Sequence, residues 1–339
     1  MAMLASLLPW RSGAWPSSLS HLAGDPLATS HQQDQPEQPD TSRPLAFFVL
    51  GDWGDPVDSH GLAVASVMQA MHSLAPVDMV LFLGDNFYGT GQPGTDGVAS
   101  VDDPKWTKLW LSAYGRLTHI PWLGVLGNHD WNGNIDAQLA YHGVNPSWNM
   151  EDLFWERVMA VGSREAAFIF IDTDLLYYGY AGDPGSPMEE RFRARGWTPE
   201  NRVVEAQLKW IEAALQRHAD QPWVFVIGHH ELGACPASHH MAQLLNLFQL
   251  YKPTAYFAGH IHAMQHAHIR GTDYIISGAG SRNSSVCDGF VGWGIDGVNG
   301  FVHAQLRESS FQFEVVAVSD GIGRSEYKRT SKPRQVQSK

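Results

Sequence analysis

Five short apolar runs along this chain end in the same way, with a glycine followed by a residue that can bind a metal ion. They read FFVLGD, LFLGDN, GVLGNHD, FVIGHH and YFAGHIH. Open α/β sheets place ligands at the carboxyl ends of their strands, so we expect these five ends to meet at one edge. Glycine lets the backbone turn sharply off a strand and lets neighbouring loops approach closely. The pattern therefore predicts a binding site built on a sheet edge.

The rest of the sequence alternates strand-like and helix-like segments. The helix candidates are GLAVASVMQAMHSL and PENRVVEAQLKWIEAALQRH, and the second repeats its apolar residues every three or four positions. FVHAQLRE and FQFEVVAV alternate apolar and polar residues across a short polar turn, which is typical of an antiparallel hairpin. Strands apolar throughout are buried on both faces. We expect an α/β fold, a layered sandwich of central mixed β-sheets flanked by helices. The strand candidates are LAFFVL, MVLFL, WLGVL, AAFIFI, WVFVI, AYFAG and YIIS.

Composition divides the chain into one large domain and two polar ends. Residues 1–44 are rich in Ser, Pro, Gln and Asp, which predicts a disordered leader or linker that includes a weak candidate for a signal region. Residues 45–318 carry the strand and helix patterns and form the expected domain. Residues 319–339 are mostly polar, and we expect a frayed C-terminal tail.

Charge excludes some classes of partner. The formal net charge is −12 and no block of lysine or arginine interrupts it, so a nucleic-acid partner is not expected. If the protein acts on phosphate groups, the positive charge that faces them must come from bound metal ions. No apolar stretch reaches the roughly 18 residues of a membrane span. The 17 histidines would suit an acidic compartment. The two cysteines, Cys235 and Cys287, could form one disulfide or none.

The residues that follow the five runs define a mixed set of oxygen and nitrogen donors. Carboxylates, an amide carbonyl and imidazoles suit a pair of hard-to-borderline cations, and two such metals need a shared carboxylate. A structural zinc site would use cysteine instead, and neither cysteine lies in these motifs. The candidates for this rim are Asp52, Asp85, Asn86, Tyr88, Asn128, His129, Asp130, His229, His260 and His262.

The motifs GDxG, GDNFY, GNHD, GHH and GHIH resemble those of the calcineurin-like metallophosphoesterases. GDNFY, with its tyrosine, looks like the purple acid phosphatases, nearest to the tartrate-resistant acid phosphatases of animals, and the likeness covers roughly residues 45 to 318. The resemblance implies a dinuclear centre of Fe(III) and a second divalent metal, which could be Fe, Zn or Mn. It implies Fe(III) ligands at Asp52, Asp85, Tyr88 and His262, and second-metal ligands at the bridging Asp85, Asn128, His229 and His260.

The same resemblance implies an acid phosphatase that hydrolyses phosphate monoesters by attack of a metal-bound hydroxide. His129 and His239 would lie near the substrate as catalytic residues, while Asp130, His230 and Glu231 would lie beside the ligands. Substrates would be small phosphate esters or phosphoproteins. The family favours a secreted or lysosome- or vacuole-like location, whereas the weak leader and scarce cysteines favour the cytoplasm. The sequence does not indicate an oligomeric state.

Some residues depart from the family pattern and keep alternatives open. After His229 the usual aromatic residue and proline are replaced, which gives GHHE. Glu231 would repel a phosphate unless it is turned away, protonated or paired with His230 or His239. A metallophosphodiesterase or nucleotide phosphatase on the same fold is one alternative, and a catalytically silent phosphate-binding scaffold is another. We expect His266 and His268 to be solvent-facing residues of an edge strand.

Overall fold

The computed structural model describes residues 43–55, 59–92, 94–179, 187–236 and 240–335. All of these belong to one structural unit, Asp40–Lys339. Nearly all of the expected leader, with its weak signal candidate, lies outside the described residues, whereas the first strand begins at Leu45, where the domain was expected to start.

The strands form where the apolar runs predict them. LAFFVL, MVLFL and WVFVI coincide with β1, β2 and β7, and all of β2 and β7 is buried. The strands are β1 Leu45–Leu50, β2 Met79–Leu83, β3 Trp122–Val125, β4 Trp148–Asn149, β5 Trp155–Val161, β6 Arg164–Phe170, β7 Trp223–Ile227, β8 Ala255–Ala258, β9 Met264–Ile269, β10 Thr272–Ser277, β11 Trp293–Ile295, β12 Asn299–Leu306, β13 Phe311–Ser319 and β14 Ile322–Ser331.

Helices connect the parallel strands and cover the sheets. The two helices predicted from periodicity are α1 and α7, and the PEN segment before α7 is a separate 3-10 turn, Pro199–Asn201. A π-helical segment spans Trp106–Leu111, and further 3-10 turns span Gly115–His119 and Tyr141–Gly143. The α-helices are α1 His60–Leu74, α2 Ser112–Tyr114, α3 Asn128–Trp131, α4 Ile135–Ala140, α5 Asp174–Tyr178, α6 Pro187–Ala194, α7 Val203–Arg217 and α8 Met241–Tyr251.

Two mixed seven-stranded sheets form the centre of the domain. The first has the order β14-β13-β12-β1-β2-β3-β4, and the second has the order β11-β9-β10-β8-β7-β6-β5. Strands β1 to β4 are mutually parallel, as are β6, β7, β8 and β10. The carboxyl ends of these strands therefore lie at one edge of each sheet. The expected α/β sandwich with mixed sheets and flanking helices is confirmed.

The two sheets face each other across an apolar layer. Phe47 of the first sheet lies 5.9 Å from Phe168 and 6.4 Å from both Phe225 and Phe257 of the second sheet, measured between ring centroids. The helices pack on the outer faces, where Val64 and Met68 of α1 are fully buried. Because both faces of each sheet are covered, the strands can be apolar throughout.

The C-terminal tail differs from the expectation. Residues 322–331 form β14, which pairs with β13 along its length, with a bulge at Val315/Val316. The frayed tail predicted for residues 319–339 is therefore wrong as far as Ser331. The strand was missed because β14 lies at a sheet edge with mostly exposed side chains, so its sequence carries few apolar residues. The last four residues lie outside the described part.

Cys235 and Cys287 form a disulfide, which resolves the alternatives left open by the sequence. The bond joins the loop after β7 to the loop after β10. Among the described residues, no helix is both long enough and apolar enough to cross a membrane.

Candidate metal centre

The donor residues follow the strand ends directly. Asp52, Asp85 and His260 each stand one position after the glycine that ends β1, β2 or β8, and each has a positive φ, of 58°, 50° and 64°. Left-handed backbone is uncommon for residues other than glycine and concentrates at functional sites. The chain therefore holds three donors in a strained conformation, which aims their side chains across the sheet edge.

The preceding glycines make these turns possible. Gly84 has φ +88°, a conformation that side chains disfavour. A Cβ at Gly259 would come within 2.5 Å of Oδ2 of Asp52. Gly84 therefore provides a sharp turn and Gly259 a close approach, as the sequence predicts, and at all three strand ends the left-handed backbone includes the donor residue itself.

Four potential donor atoms converge on one another at the first of two positions in the cluster. The phenol oxygen of Tyr88 lies 2.9 Å from Oδ1 of Asp52, 3.0 Å from Oδ2 of Asp85 and 3.1 Å from Nε2 of His262. Tyr88, Asp52 and Asp85 are essentially buried, whereas His262 is partly exposed. These are the four residues that the sequence predicts as ligands of the first metal.

The second set of donors lies beside the first and shares one residue with it. Oδ1 of Asn128 lies 3.2 Å from Nε2 of His229 and 3.1 Å from Nδ1 of His260. Nε2 of His229 lies 3.5 Å from Oδ1 of Asp85, whose Oδ2 faces Tyr88. The two oxygens of Asp85 therefore face different donor sets, as a bridging carboxylate requires.

Backbone contacts fix the orientation of the donors. Nδ1 of His229 lies 2.8 Å from the carbonyl oxygen of Leu83, so Nδ1 carries the proton and Nε2 is left with a lone pair for a metal. Oδ2 of Asp52 accepts the N–H of His260 at 2.9 Å, and Oδ1 of Asp85 accepts the N–H of His129 at 2.8 Å. The cluster is held in place by the protein itself.

The electrostatics of the cluster favour a bound cation. Burial and the neighbouring Asp52 raise the pKa of Asp85 to about 8. Burial, with Asp52 and Asp85 nearby, also raises the pKa of Tyr88 well above its usual value. Burial and His229 lower the pKa of His260 to about 3, which keeps its imidazole neutral. The carboxyl group of Asp85 and the phenol of Tyr88, which resist ionisation while buried, would ionise readily beside a multivalent cation.

Asp130 supports the backbone of the site. It is fully buried, and its carboxylate accepts the N–H groups of Asn86 and Gly127 and the side-chain amide of Gln138 at 2.8 to 3.1 Å. The amide of Asn86 in turn donates to Gln138 and to the carbonyl of Val125. Asp130 and Asn86 therefore tie the loops after β2 and β3 together, and neither is a donor in the two sets.

His129 lies at the edge of the cluster and is partly exposed. Its Nε2 is 3.9 Å from Oδ2 of Asp85, and its Nδ1 is 2.9 Å from Oδ2 of Asp96. Its ring lies 4.5 Å from the ring of Tyr88. Asp96 was missed in the sequence because it lies in a glycine-rich loop with no motif around it.

His230 and Glu231 are both buried beside the second donor set. The hydroxyl of Thr173 accepts the N–H groups of His229 and His230, so its own hydrogen is available for Nδ1 of His230, at 2.9 Å. This arrangement gives His230 its proton on Nε2. Burial, followed by His260 and His229, lowers the pKa of His230 well below its usual value, so its ring is neutral.

Tyr177 covers this side of the cluster. Its ring stacks on that of His230 at 4.1 Å and lies 5.5 Å from that of His260. Burial raises the pKa of Glu231, and a hydrogen bond with Tyr177 opposes this rise. Glu231 is therefore hydrogen-bonded to Tyr177, which is not one of the two partners, His230 and His239, expected from the sequence.

Arg282 covers the ring of Tyr88. Its guanidinium carbon lies 3.9 Å from the ring centroid of Tyr88, and its Nε donates to Asp55 at 2.5 Å. No motif in the sequence indicates this contact. His239, the other expected catalytic residue, lies outside the described residues.

Comparison with known proteins identifies the class. Residues 45–264 match the calcineurin-like phosphoesterase family, and the chain belongs to this family. This family and the acid phosphatases among its relatives identify the chain as a metal-dependent phosphatase. The resemblance to purple acid phosphatases expected from the sequence is confirmed.

The alignments with individual relatives span most of the chain. Purple acid phosphatase 7 of Arabidopsis thaliana is 30% identical over 246 residues, 70% of this chain and 70% of the relative. Tartrate-resistant acid phosphatase type 5 of Homo sapiens is 27% identical over 316 residues, 86% of this chain and 92% of the relative. The structure of GAP50, the anchor in the inner membrane complex of Plasmodium, shares the fold with a TM-score of 0.71 and 22% identity, covering 87% of this chain and 91% of that one.

Proposed function

We propose that the protein is an acid phosphatase of the purple type, which hydrolyses phosphate monoesters at a dinuclear centre of Fe(III) and a divalent metal. Asp52, Asp85, Tyr88 and His262 would hold Fe(III). Asp85, Asn128, His229 and His260 would hold the divalent metal, which is Fe, Zn or Mn.

The observation that carries the proposal is the position of the Tyr88 phenol. Its oxygen lies within 3.1 Å of a donor atom of each of the three other residues assigned to Fe(III). A tyrosine that is only a packed aromatic residue has no need for two carboxylates and an imidazole around its oxygen. A phenolate and two carboxylates form a hard anionic set, which suits a trivalent ion.

The donor chemistry of the two sets fits a mixed metal pair. The first set has three oxygens and one imidazole, whereas the second has two imidazoles, an amide oxygen and the shared carboxylate of Asp85. Imidazole and carbonyl donors suit borderline divalent ions. When bound, the pair supplies Lewis acidity toward the phosphoryl group and lowers the pKa of water, further for a trivalent than for a divalent ion.

The chain contributes a proton donor. Nδ1 of His129 lies 2.9 Å from Oδ2 of Asp96, and Nε2 is on the side of the ring that faces the cluster. A proton held on Nε2 can pass to the oxygen of the leaving alcohol. His239 is proposed as a second histidine near the substrate, from the family resemblance.

The aromatic and apolar neighbours exclude water from one side of the site. Tyr177 and His230 stack over the second donor set, which leaves the side of His129 and His262, both partly exposed, for substrate entry. Small phosphate esters or exposed phosphoryl groups of phosphoproteins would fit an entry on this side.

We further propose a secreted or lysosome- or vacuole-like location. The disulfide between Cys235 and Cys287 supports this location because such bonds persist in oxidising compartments. Fractionation of the native source, with activity following either an acidic-vesicle or a cytosolic marker, tests the location.

The function is tested by comparing turnover of an aryl phosphate monoester with that of the matched aryl diester by the metal-loaded protein. We expect the monoester to be preferred by at least about tenfold in kcat/KM, with the higher activity in acid. Preference for the diester would support a phosphodiesterase on the same fold. No turnover of either ester by protein that holds both metals would support the silent scaffold.

A further inference from the structure

A large cavity lies at the opposite end of the second sheet from the metal centre. It has a volume of about 830 Å3, within the range of small-molecule sites. Thr254, at its base, precedes β8, whereas His260 of the metal centre follows the same strand. At about 3.3 Å per residue, the two positions are about 20 Å apart. The cavity is therefore separate from the catalytic site.

The C-terminal segment builds one wall of this cavity. Arg329, Ser331 and Arg334 all line it, on β14 and the residues after it. The guanidinium of Arg334 donates to the carbonyl oxygens of His218, Gln221 and Tyr251, and its backbone N–H donates to Pro222. The wall is therefore anchored to the ends of α7 and α8.

A buried carboxylate joins this wall to the second sheet. Asp273, at the start of β10, accepts hydrogen bonds from Arg329, Ser331 and two histidines, His266 and His268. Burial alone would raise the pKa of Asp273, but the hydrogen bonds from His266 and Ser331 and the charge of Arg329 lower it to about 2.

This network corrects the expectation that both histidines face solvent. His266 is only 3% exposed and also contacts the hydroxyl of Tyr327, whereas His268 keeps an exposed side chain. Because four donors surround Asp273, its negative charge is balanced inside the wall and little of it reaches the cavity.

The remaining charges of the cavity are mainly positive, although the whole chain carries −12 and Asp220 adds one carboxylate to the lining. The side chains of Lys252 and Lys332 are exposed and make no hydrogen bond or ion pair within the described ranges. Arg329 uses Nε for Asp273, which leaves both of its Nη groups for another acceptor. Tyr251, Leu250 and Pro333 add apolar surface between these cations.

We propose that this cavity binds a soluble small organic polyanion, a compact molecule carrying two or more phosphate or sulfate groups. Lys252, Lys332 and the Nη groups of Arg329 would contact the anionic groups, and the tyrosine and proline surface would contact the carbon skeleton. In a chain this acidic, such a cluster of unpaired cations in a preformed cavity favours an anionic ligand over a cationic or neutral one.

Titration calorimetry with inositol hexakissulfate tests the proposal, because this probe carries dense negative charge and is not a phosphate ester. The titration is run in saturating inorganic phosphate, which competes at the metal centre. We expect about one binding site per chain. The double variant Lys252→Ala/Lys332→Ala should bind the probe at least about tenfold more weakly, with phosphatase activity unchanged.

A matched control is Lys108→Ala/Lys209→Ala, which removes two exposed lysines outside this cavity. The control should bind the probe as the natural sequence does. Thermal unfolding of both double variants shows whether the fold is intact. We expect it to be intact in both, because the replaced lysines are exposed. Absence of binding, or equal weakening in both double variants, would overturn the proposal.

Discussion

The donor cluster of the metal centre and the ring of residues around it are built in different ways. The donor cluster is the set of seven residues Asp52, Asp85, Tyr88, Asn128, His229, His260 and His262. We call the surrounding residues, Asp96, His129, Tyr177, His230, Glu231 and Arg282, the rim. Six cluster members come from the short segments that follow strands β1, β2, β3, β7 and β8, with Tyr88 three residues beyond Asp85. The rim comes mainly from loops and helix starts.

This difference indicates which part of the site is rigid and which part can vary. A donor cluster fixed by sheet register and glycine-dependent turns tolerates little change, because three of its members already occupy left-handed backbone. The rim depends on side-chain contacts such as Arg282 over Tyr88, which substitutions can alter without moving the sheets. We therefore expect changes in the cluster to abolish the chemistry and changes in the rim to adjust it.

The largest effect should come from Asp85→Asn. The substitution removes the shared carboxylate whose two oxygens face the two donor sets. Metal content should fall, and kcat/KM should fall by about 1000-fold or more, since metal ions contribute several kcal/mol to the transition state. Metal analysis and steady-state kinetics measure both. The exposed Asp102→Asn is the control, and normal metal content in Asp85→Asn would contradict the bridging role.

His129→Ala should cost less and should leave the metals in place. We expect kcat to fall by about 100-fold, the usual scale for loss of a proton donor. The fall should be larger for an alkyl phosphate than for a nitrophenyl phosphate, because a good leaving group needs no proton. The exposed His119→Ala serves as the control. Equal losses for both substrates would exclude proton donation by His129.

Glu231→Gln should have a modest effect of the opposite sign. The change keeps the shape and the contact with Tyr177 but removes a negative charge beside the second donor set. We expect KM for a phosphate monoester to fall by about two- to fivefold with kcat unchanged, which corresponds to relief of a weak charge repulsion. Glu326→Gln on exposed β14 provides the comparison. An unchanged KM would mean that Glu231 does not act on the substrate.

Arg282→Gln should have the smallest effect on turnover and a clear effect on colour. The guanidinium over the Tyr88 ring stabilises electron density on the phenolate, so its loss should lower the energy of charge transfer to Fe(III). The visible absorption band should move to longer wavelength. Arg282→Lys, which keeps the charge, should move it less. A band that stays in place in Arg282→Gln would show that the cation does not influence the phenolate.

Sequence reasoning reached the donor cluster because strand ends and ligands are adjacent in the chain. LAFFVL and MVLFL give the bounds of β1 and β2, and the residue after each following glycine is Asp52 or Asp85. Parallel strands align their carboxyl ends, so the sequence did not need to specify any other contact to bring these residues together.

Three rim residues, Asp96, Tyr177 and Arg282, could not be found in this way, whereas the other three adjoin the donor motifs. Asp96 meets His129 across 33 positions that include β3, and Arg282 meets Tyr88 from the segment after β10, so neither contact leaves a local pattern. The edge strand β14 was missed for a related reason. Its stability comes from pairing with β13 and from Asp273 on the other sheet, which a polar segment does not reveal by itself.

The central claim is that Tyr88 is a phenolate ligand of Fe(III) in a dinuclear centre. The most direct measurement is the visible absorption spectrum of the purified protein beside its metal content, repeated on Tyr88→Phe. We predict a broad visible band with about two metal ions per chain, and loss or displacement of that band in the variant. A colourless protein that holds two divalent metals, or a band unchanged by Tyr88→Phe, would contradict the claim.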